Sequence, residues 1–219
     1  LGGIPEKISH ATEKFSRVRP DGCCSVVLFN SDVPLVFIHD PQILLGAMLG
    51  QPGVRLRVDL STGATGPPES VLIGGGKAVG SDGTPQNRIL AAVIALERFP
   101  LGQRRFSVKK AERESEIGRG LNVREFWDLL DAERRLYSET VVRVIVCENP
   151  YAASPLPRDI FVGQFDERWG VEGDYIQRVF AGPGLRELER REGALGLRMD
   201  PARRLLGTSK GESDKPAGG

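Results

Sequence analysis

Residues 69–99 read ESVLIGGGKAVGSDGTPQNRILAAVIALERF, and the fold class turns on how they are parsed. Val71, Leu72 and Ile73 predict a short strand, and Gly74-Gly75-Gly76-Lys77 a loop. Thr84-Pro85 has the form of a helix start, a capping hydroxyl followed by proline at the first helical position. The run from Ile89 to Leu96 is apolar almost without a break, so residues 86–99 are expected to form a helix buried on most sides.

A strand feeding a glycine-rich loop ahead of a helix is a familiar phosphate holder. A Walker loop, however, would need glycine where Val71 stands and a magnesium-binding hydroxyl where Ala78 stands. A dinucleotide fingerprint would need its third glycine at Val79, and Gly80 comes one residue late. Pro85 also opens the helix too far downstream for its N-terminus to meet a phosphate held at Gly76. A connecting loop with a Ser81-Asp82-Gly83 turn is the expectation. Phosphate binding by Gly74, Gly75, Gly76 and Lys77 is the alternative.

Upstream, residues 5–18 predict a helix with Ile8, Ala11, Phe15 and Val18 on one stripe, ended by Pro20-Asp21-Gly22. Residues 24–29 and 34–38 predict a strand pair. Asp40-Pro41 opens a short apolar helix over residues 42–49. Val54, Leu56, Val58 and Leu60 alternate with Arg55, Arg57 and Asp59. That is a strand expected to turn its apolar row into the core and its arginines to solvent or a partner.

Downstream, residues 106–110 predict a strand. Asn122 with Glu125 forms a capping box for a helix whose core stripe is Phe126, Leu129, Leu130 and Leu136. Residues 140–147 predict a strand with Val142, Val144 and Val146 on one face, 149–157 a loop, 159–165 a strand, and 175 onward helix in parts. The order α-β-β-α-β-β-α-β-α-β-β-α breaks βα alternation repeatedly. An α+β fold is therefore expected, with a mixed, mainly antiparallel sheet packed with helices. Residues 1–206 are expected to form a single α+β domain, and 207–219, lacking apolar residues beyond Ala217, a disordered tail.

The 219 residues carry 30 Lys and Arg against 29 Asp and Glu, a net charge of +1, with 40% hydrophobic and 27% charged residues. Such a balance excludes strong nonspecific nucleic-acid binding by the whole surface. No apolar run approaches the ~20 residues of a membrane span, and no secretory pattern is read at the start. Three cysteines, Cys23 and Cys24 adjacent, make a poor disulfide framework, so a reducing, cytoplasmic setting is expected. A start at Leu1 and an end at Gly218-Gly219 suggest a processed or trimmed chain, compatible with a viral or fast-diverging origin.

Catalytic residues are scarce. With only His10 and His39, a Cys23 or Cys24 pairing with His39 is the one thiol–imidazole arrangement to draw, and the strand pair between them explains the segment structurally. Zinc-ligand spacing is absent. Arg186-Glu187-Leu188 with Gly193 resembles a fragment of the Nudix box. Arg178, Arg190 and Arg191 occupy its metal-holding positions and Glu172 its leading glycine, which excludes a magnesium–diphosphate site there. No catalytic residue, metal or cofactor is expected.

Basic patches remain. Arg55 and Arg57 share a strand face, while Arg104, Arg105, Lys109 and Lys110 flank Phe106. Arg55, Arg57, Arg105 and Lys109, with Phe106 as a stacking platform, are the candidate nucleic-acid contacts. Glu112, Glu114 and Glu116 act against them. The expected function is a non-enzymatic binding or assembly protein, associating with nucleic acid or with copies of itself. The alternative is an enzyme acting on a phosphate-bearing small molecule through residues 74–80.

Overall fold

A computed structural model describes residues 3–18, 22–29, 40–67, 69–73, 75–172 and 175–197. The chain divides into two compact units, Leu1–Phe99 with Thr140–Leu185, and Pro100–Glu139 with Arg186–Gly219.

The first unit opens with helix α1 (Gly3–Val18), strand β1 (Cys24–Phe29) and helix α2 (Pro41–Leu49). Asp40 caps α2 by accepting from the Gln42 amide at 2.9 Å. Strands β2 (Gln51–Arg55) and β3 (Glu69–Ile73) form an antiparallel pair separate from the main sheet. The main sheet adds β4 (Leu90–Phe99), β5 (Val141–Glu148), β6 (Glu167–Glu172) and β7 (Tyr175–Ala181), in the order β1-β4-β5-β6-β7. β1 runs parallel to β4 and β5 to β6, while β4–β5 and β6–β7 are antiparallel. This is the α+β class and the mixed sheet that the element pattern predicts.

One sheet face carries the core. Ile8 of α1 and Leu44, Leu45 and Met48 of α2 pack against Val26, Leu28, Val93, Ala95, Ile145 and Cys147. On the opposite face Ile94 and Val146 are covered by Leu156 from the loop after β5. Farther along that same face Val27, Phe29 and Val142 stay exposed, at 55%, 62% and 64%. Cross-strand register places Val27 beside Ile94, Phe29 beside Leu96, Leu96 beside Val144 and Arg98 beside Val142, all on one side of the pleat.

In the second unit α3 (Leu101–Ile117), α4 (Val123–Ala132) and α5 (Arg134–Tyr137) follow one another, and residues 186–194 of α6 (Pro183–Ala194) belong to the same unit. Asn122 and Glu125 make the expected capping box on α4. Phe106 is buried, edge-on to Phe126 and Tyr137 with ring centroids 5.8 and 5.3 Å apart. Gly102 donates its amide to the Glu139 carbonyl at 2.8 Å, so closely that a Cβ there would stand 2.7 Å from the Tyr137 oxygen.

Several elements differ from the sequence expectation. Residues 86–99 hold no helix; from Leu90 they are the strand β4, flanked by β1 and β5. From Leu90 to Ala95 the strand is buried on both faces and apolar throughout, which removes the alternation that marks a half-exposed one. Thr84-Pro85 belongs to a turn, its hydroxyl and amide both donated to Asp82 Oδ1 at 2.6 and 3.0 Å. Conversely, residues 106–110 lie inside α3, where lysine, arginine and glutamate favour helix and Gly118, at φ 69°, ends it. Residues 159–165 are turns, Phe161 having φ 55°, and the strand begins only at Glu167. Residues 175–181 are strand, and the helix expected in parts after 175 is α6. In the stripe read on α4 and α5, Phe126, Leu129 and Leu130 are half-buried and Leu136 is exposed. The segment 34–38, His39, Gly74 and the tail 207–219 lie outside the described residues.

Candidate functional site

The strand expected over residues 54–60 ends at Arg55, Val58 makes an isolated bridge and Leu60 stands in a turn, and Leu56, Val58 and Leu60 are exposed rather than core. They lie along a two-stranded arm made by β2 and β3, whose pairing continues beyond the strands. The Gly66 amide donates to the Arg57 carbonyl at 2.8 Å, and the Asp59 amide to Ala64 at 2.9 Å, with a bridge between Val58 and Thr65. Asp59 organises the tip, accepting from the Ser61 hydroxyl at 2.6 Å and the Ser61 amide at 2.8 Å. These bonds, with those from Thr62, hold its carboxyl down at about 2. Gly63, at φ 69°, supplies the left-handed residue of the turn. Among the described residues nothing buries the arm's apolar side chains: Leu56 is 56% exposed, Val58 51% and Leu60 96%. Arg55 and Arg57 are exposed too. Between residues 51 and 73 the only charged side chains are Arg55, Arg57, Asp59 and Glu69, which sum to zero.

The glycine loop leads back from the arm to α2. The Lys77 amide donates to the Ala47 carbonyl at 3.2 Å, and the Ala78 amide to Met48 at 2.7 Å. Gly76 lies against the Met48 carbonyl and the Gly50 amide, where a Cβ would overlap both. A Cβ on Gly75 would come within 2.7 Å of the Ser81 nitrogen. The Lys77 carbonyl accepts from the Asn87 side chain, and the Gln86 amide donates to Ala78 at 2.7 Å. Ala78, Val79 and Gly80 are buried. The amides of Lys77 and Ala78 thus satisfy the last carbonyls of a helix.

The basic residues near Phe106 are on α3, each with a carboxylate. Arg104 pairs with Glu192, Arg105 with Glu139 at 2.6 Å, Lys109 with Glu133, and Lys110 with Glu114 at 2.8 Å. Arg113 pairs with Glu116 at 2.9 Å and Arg191 with Glu112 at 2.7 Å. Arg119 grips Glu125 and, with the Asn122 amide, holds that carboxyl at about 2. Phe106, enclosed between two aromatic edges, offers no face on which a base could stack. Arg55 and Arg57 stand in the first unit, Arg105, Phe106 and Lys109 in the second.

Sequence reading misses the polar interior of the main sheet. Arg143 binds Glu97 directly across the β4–β5 ladder, its Nε 2.8 Å from the carboxylate, and lies 3.4 Å from Glu167. Arg178 meets the other oxygen of Glu167, also at 3.4 Å. Arg168, 2% exposed, binds Glu148 at 2.6 Å and the carbonyls of Pro157 and Ile160 at 2.9 and 2.8 Å. Asp166 accepts from the Gly163 and Val144 amides at 2.8 and 2.9 Å. The signal for these was a lone Arg143 inside an otherwise apolar strand and the Asp166-Glu167-Arg168 triplet. Arg143, Arg168, Arg178 and Glu167 each meet an opposite charge and Asp166 two backbone amides, the arrangement of a structural network.

Cys23 is exposed, and burial raises the Cys147 thiol well above its usual range. Among the described residues, no three His, Cys, Asp or Glu side chains gather as metal ligands, and no helix is long and apolar enough to cross a membrane. No protein-family model, no curated protein and no solved structure matches the chain.

Proposed function

We propose that this chain is a non-enzymatic assembly protein that engages a protein partner through the β2–β3 arm. The observation that carries this reading is the exposed row Leu56, Val58 and Leu60 on an arm whose backbone pairing extends to its tip. Full burial of a Val or Leu side chain is worth about 1.5–3 kcal/mol, so covering this row supplies several kcal/mol of association free energy. Large apolar side chains grouped on an ordered projection are a mark of a docking surface.

Charge favours a protein over a nucleic acid. The arm is neutral, and the α3 lysines and arginines have glutamate partners, leaving little to release counterions from a phosphate backbone. A phosphate site at Gly75-Gly76-Lys77 is disfavoured in the same manner, since the Lys77 and Ala78 amides already donate to α2.

Size-exclusion chromatography with light scattering, run before and after nuclease treatment, tests the reading against the triple variant Leu56→Ser, Val58→Ser, Leu60→Ser. Association with protein is expected to survive nuclease and to vanish in the triple variant, whose circular dichroism stays native. Assembly that nuclease abolishes, or that the triple variant retains, overturns it.

A further inference from the structure

The geometry points to a second copy of this chain as the arm's partner, with the row Leu56, Val58, Leu60 seated on the open sheet face at Val27, Phe29 and Val142. This rests on the arm being a docking element.

The two surfaces match in form. Leu56 and Val58 lie two residues apart where the arm's backbone is paired, as Val27 and Phe29 do on β1, so these pairs share a spacing of about 6.8 Å at ~3.4 Å per residue. Leu60 follows at the arm's tip and Val142 two strands across the face. β-layers pack face to face about 10 Å apart with such rows interdigitated. The sheet face is fixed by register, Val27 and Phe29 on β1 lying beside Ile94 and Leu96 on β4, and Val142 beside Arg98. Its neighbours Ile94 and Val146 are covered by Leu156, so among the described residues the open part continues an apolar surface covered at one end.

The areas also match. A large apolar side chain carries on the order of 100 Å² of surface. At the observed exposures, one arm on one face covers roughly 400 Å² of apolar surface, or about 600–700 Å² in all at the usual apolar share. That falls short of the ~1,200 Å² at which stable interfaces begin, while two reciprocal contacts reach it. The predicted species is therefore a two-fold dimer in which each copy gives an arm and receives one.

The test is light scattering of the full chain from micromolar to submillimolar concentration, with a photo-crosslinking residue at position 60. The expected result is a mass of two 23.9 kDa chains, with crosslinks from position 60 to β1 or β5 of the other copy. Val58→Lys with Leu60→Lys, and separately Val27→Lys with Val142→Lys, are each expected to weaken the dimer by about 100-fold or more. All four positions are exposed, so the circular dichroism of each variant should stay native. A wild-type monomer throughout the range overturns the self-pairing, as do crosslinks from arm to arm, or a dimer that the face variant does not weaken. Those results leave the docking arm standing. A dimer indifferent to the arm variant overturns both.

Discussion

Replacing Gly76 with alanine separates a structural clasp from a ligand loop. The added methyl would overlap the Met48 carbonyl and the Gly50 amide, which are backbone atoms and cannot swing aside as a side chain would. Relief requires the loop to withdraw from α2, which stretches the Lys77–Ala47 and Ala78–Met48 bonds of 3.2 and 2.7 Å. Overpacking costs about 1–3 kcal/mol. Each hydrogen bond lost adds about 0.5–1.5 kcal/mol. The expected loss is therefore about 2–6 kcal/mol, a large part of the roughly 5–15 kcal/mol that holds a domain together. Urea unfolding followed by circular dichroism measures it as a shift of midpoint at unchanged slope. A loss below about 1 kcal/mol, beyond what overpacking alone allows, would refute the clasp and return the glycines to a ligand-binding role.

Arg168→Ala would leave the Glu148 carboxylate without its partner and free the Pro157 and Ile160 carbonyls, and a loss of about 3–5 kcal/mol is expected in the same unfolding assay. Gly102→Ala should destabilise the second unit, since its methyl meets the Tyr137 oxygen at 2.7 Å; reduced amide protection of α3 and α5 in hydrogen exchange checks this. The Asp59 carboxyl, depressed to about 2 in the folded arm, lends stability that is present above its unfolded value of 3.8 and lost as pH falls through about 2. Ser61→Ala should raise that midpoint in an NMR titration, and an unmoved midpoint would show the hydroxyl to be irrelevant.

Much of the first unit was legible. The helical stripe of α1, the Asp40-Pro41 start of α2 and the bounds of β1 follow from periodicity and capping alone, as does the Asn122–Glu125 box in the second unit. Residues 86–99 and 106–110 exchanged their forms for opposite reasons. The first six residues of β4 are buried on both faces and so carry no period, while the short Phe106-Ser107-Val108 alternation is a fragment of a 17-residue helix. The arm was read in part: period two marks a stretch that pairs as far as Val58, but it shows neither the turn at Leu60 nor whether the apolar side meets this chain's own core. Ion pairs such as Arg105–Glu139, 34 positions apart, are tertiary facts, so the charge of a basic segment could not be judged from its own neighbours.

The two amide-to-carbonyl bonds that join Lys77 and Ala78 to Ala47 and Met48 also bear on how this protein can diverge. They close a neck, and the described residues between Leu49 and Gly76 form a closed loop that hangs from it. Lengthening a closed loop raises its entropic cost by only about 0.6 kcal/mol for each doubling. The arm can therefore grow, shrink or change its exposed row while the sheet keeps its packing, and the constraint sits at the neck, where a Cβ on Gly76 would overlap the Met48 carbonyl. Selection for a new partner would act on one end of this loop and selection for folding on the other, so the two need not conflict.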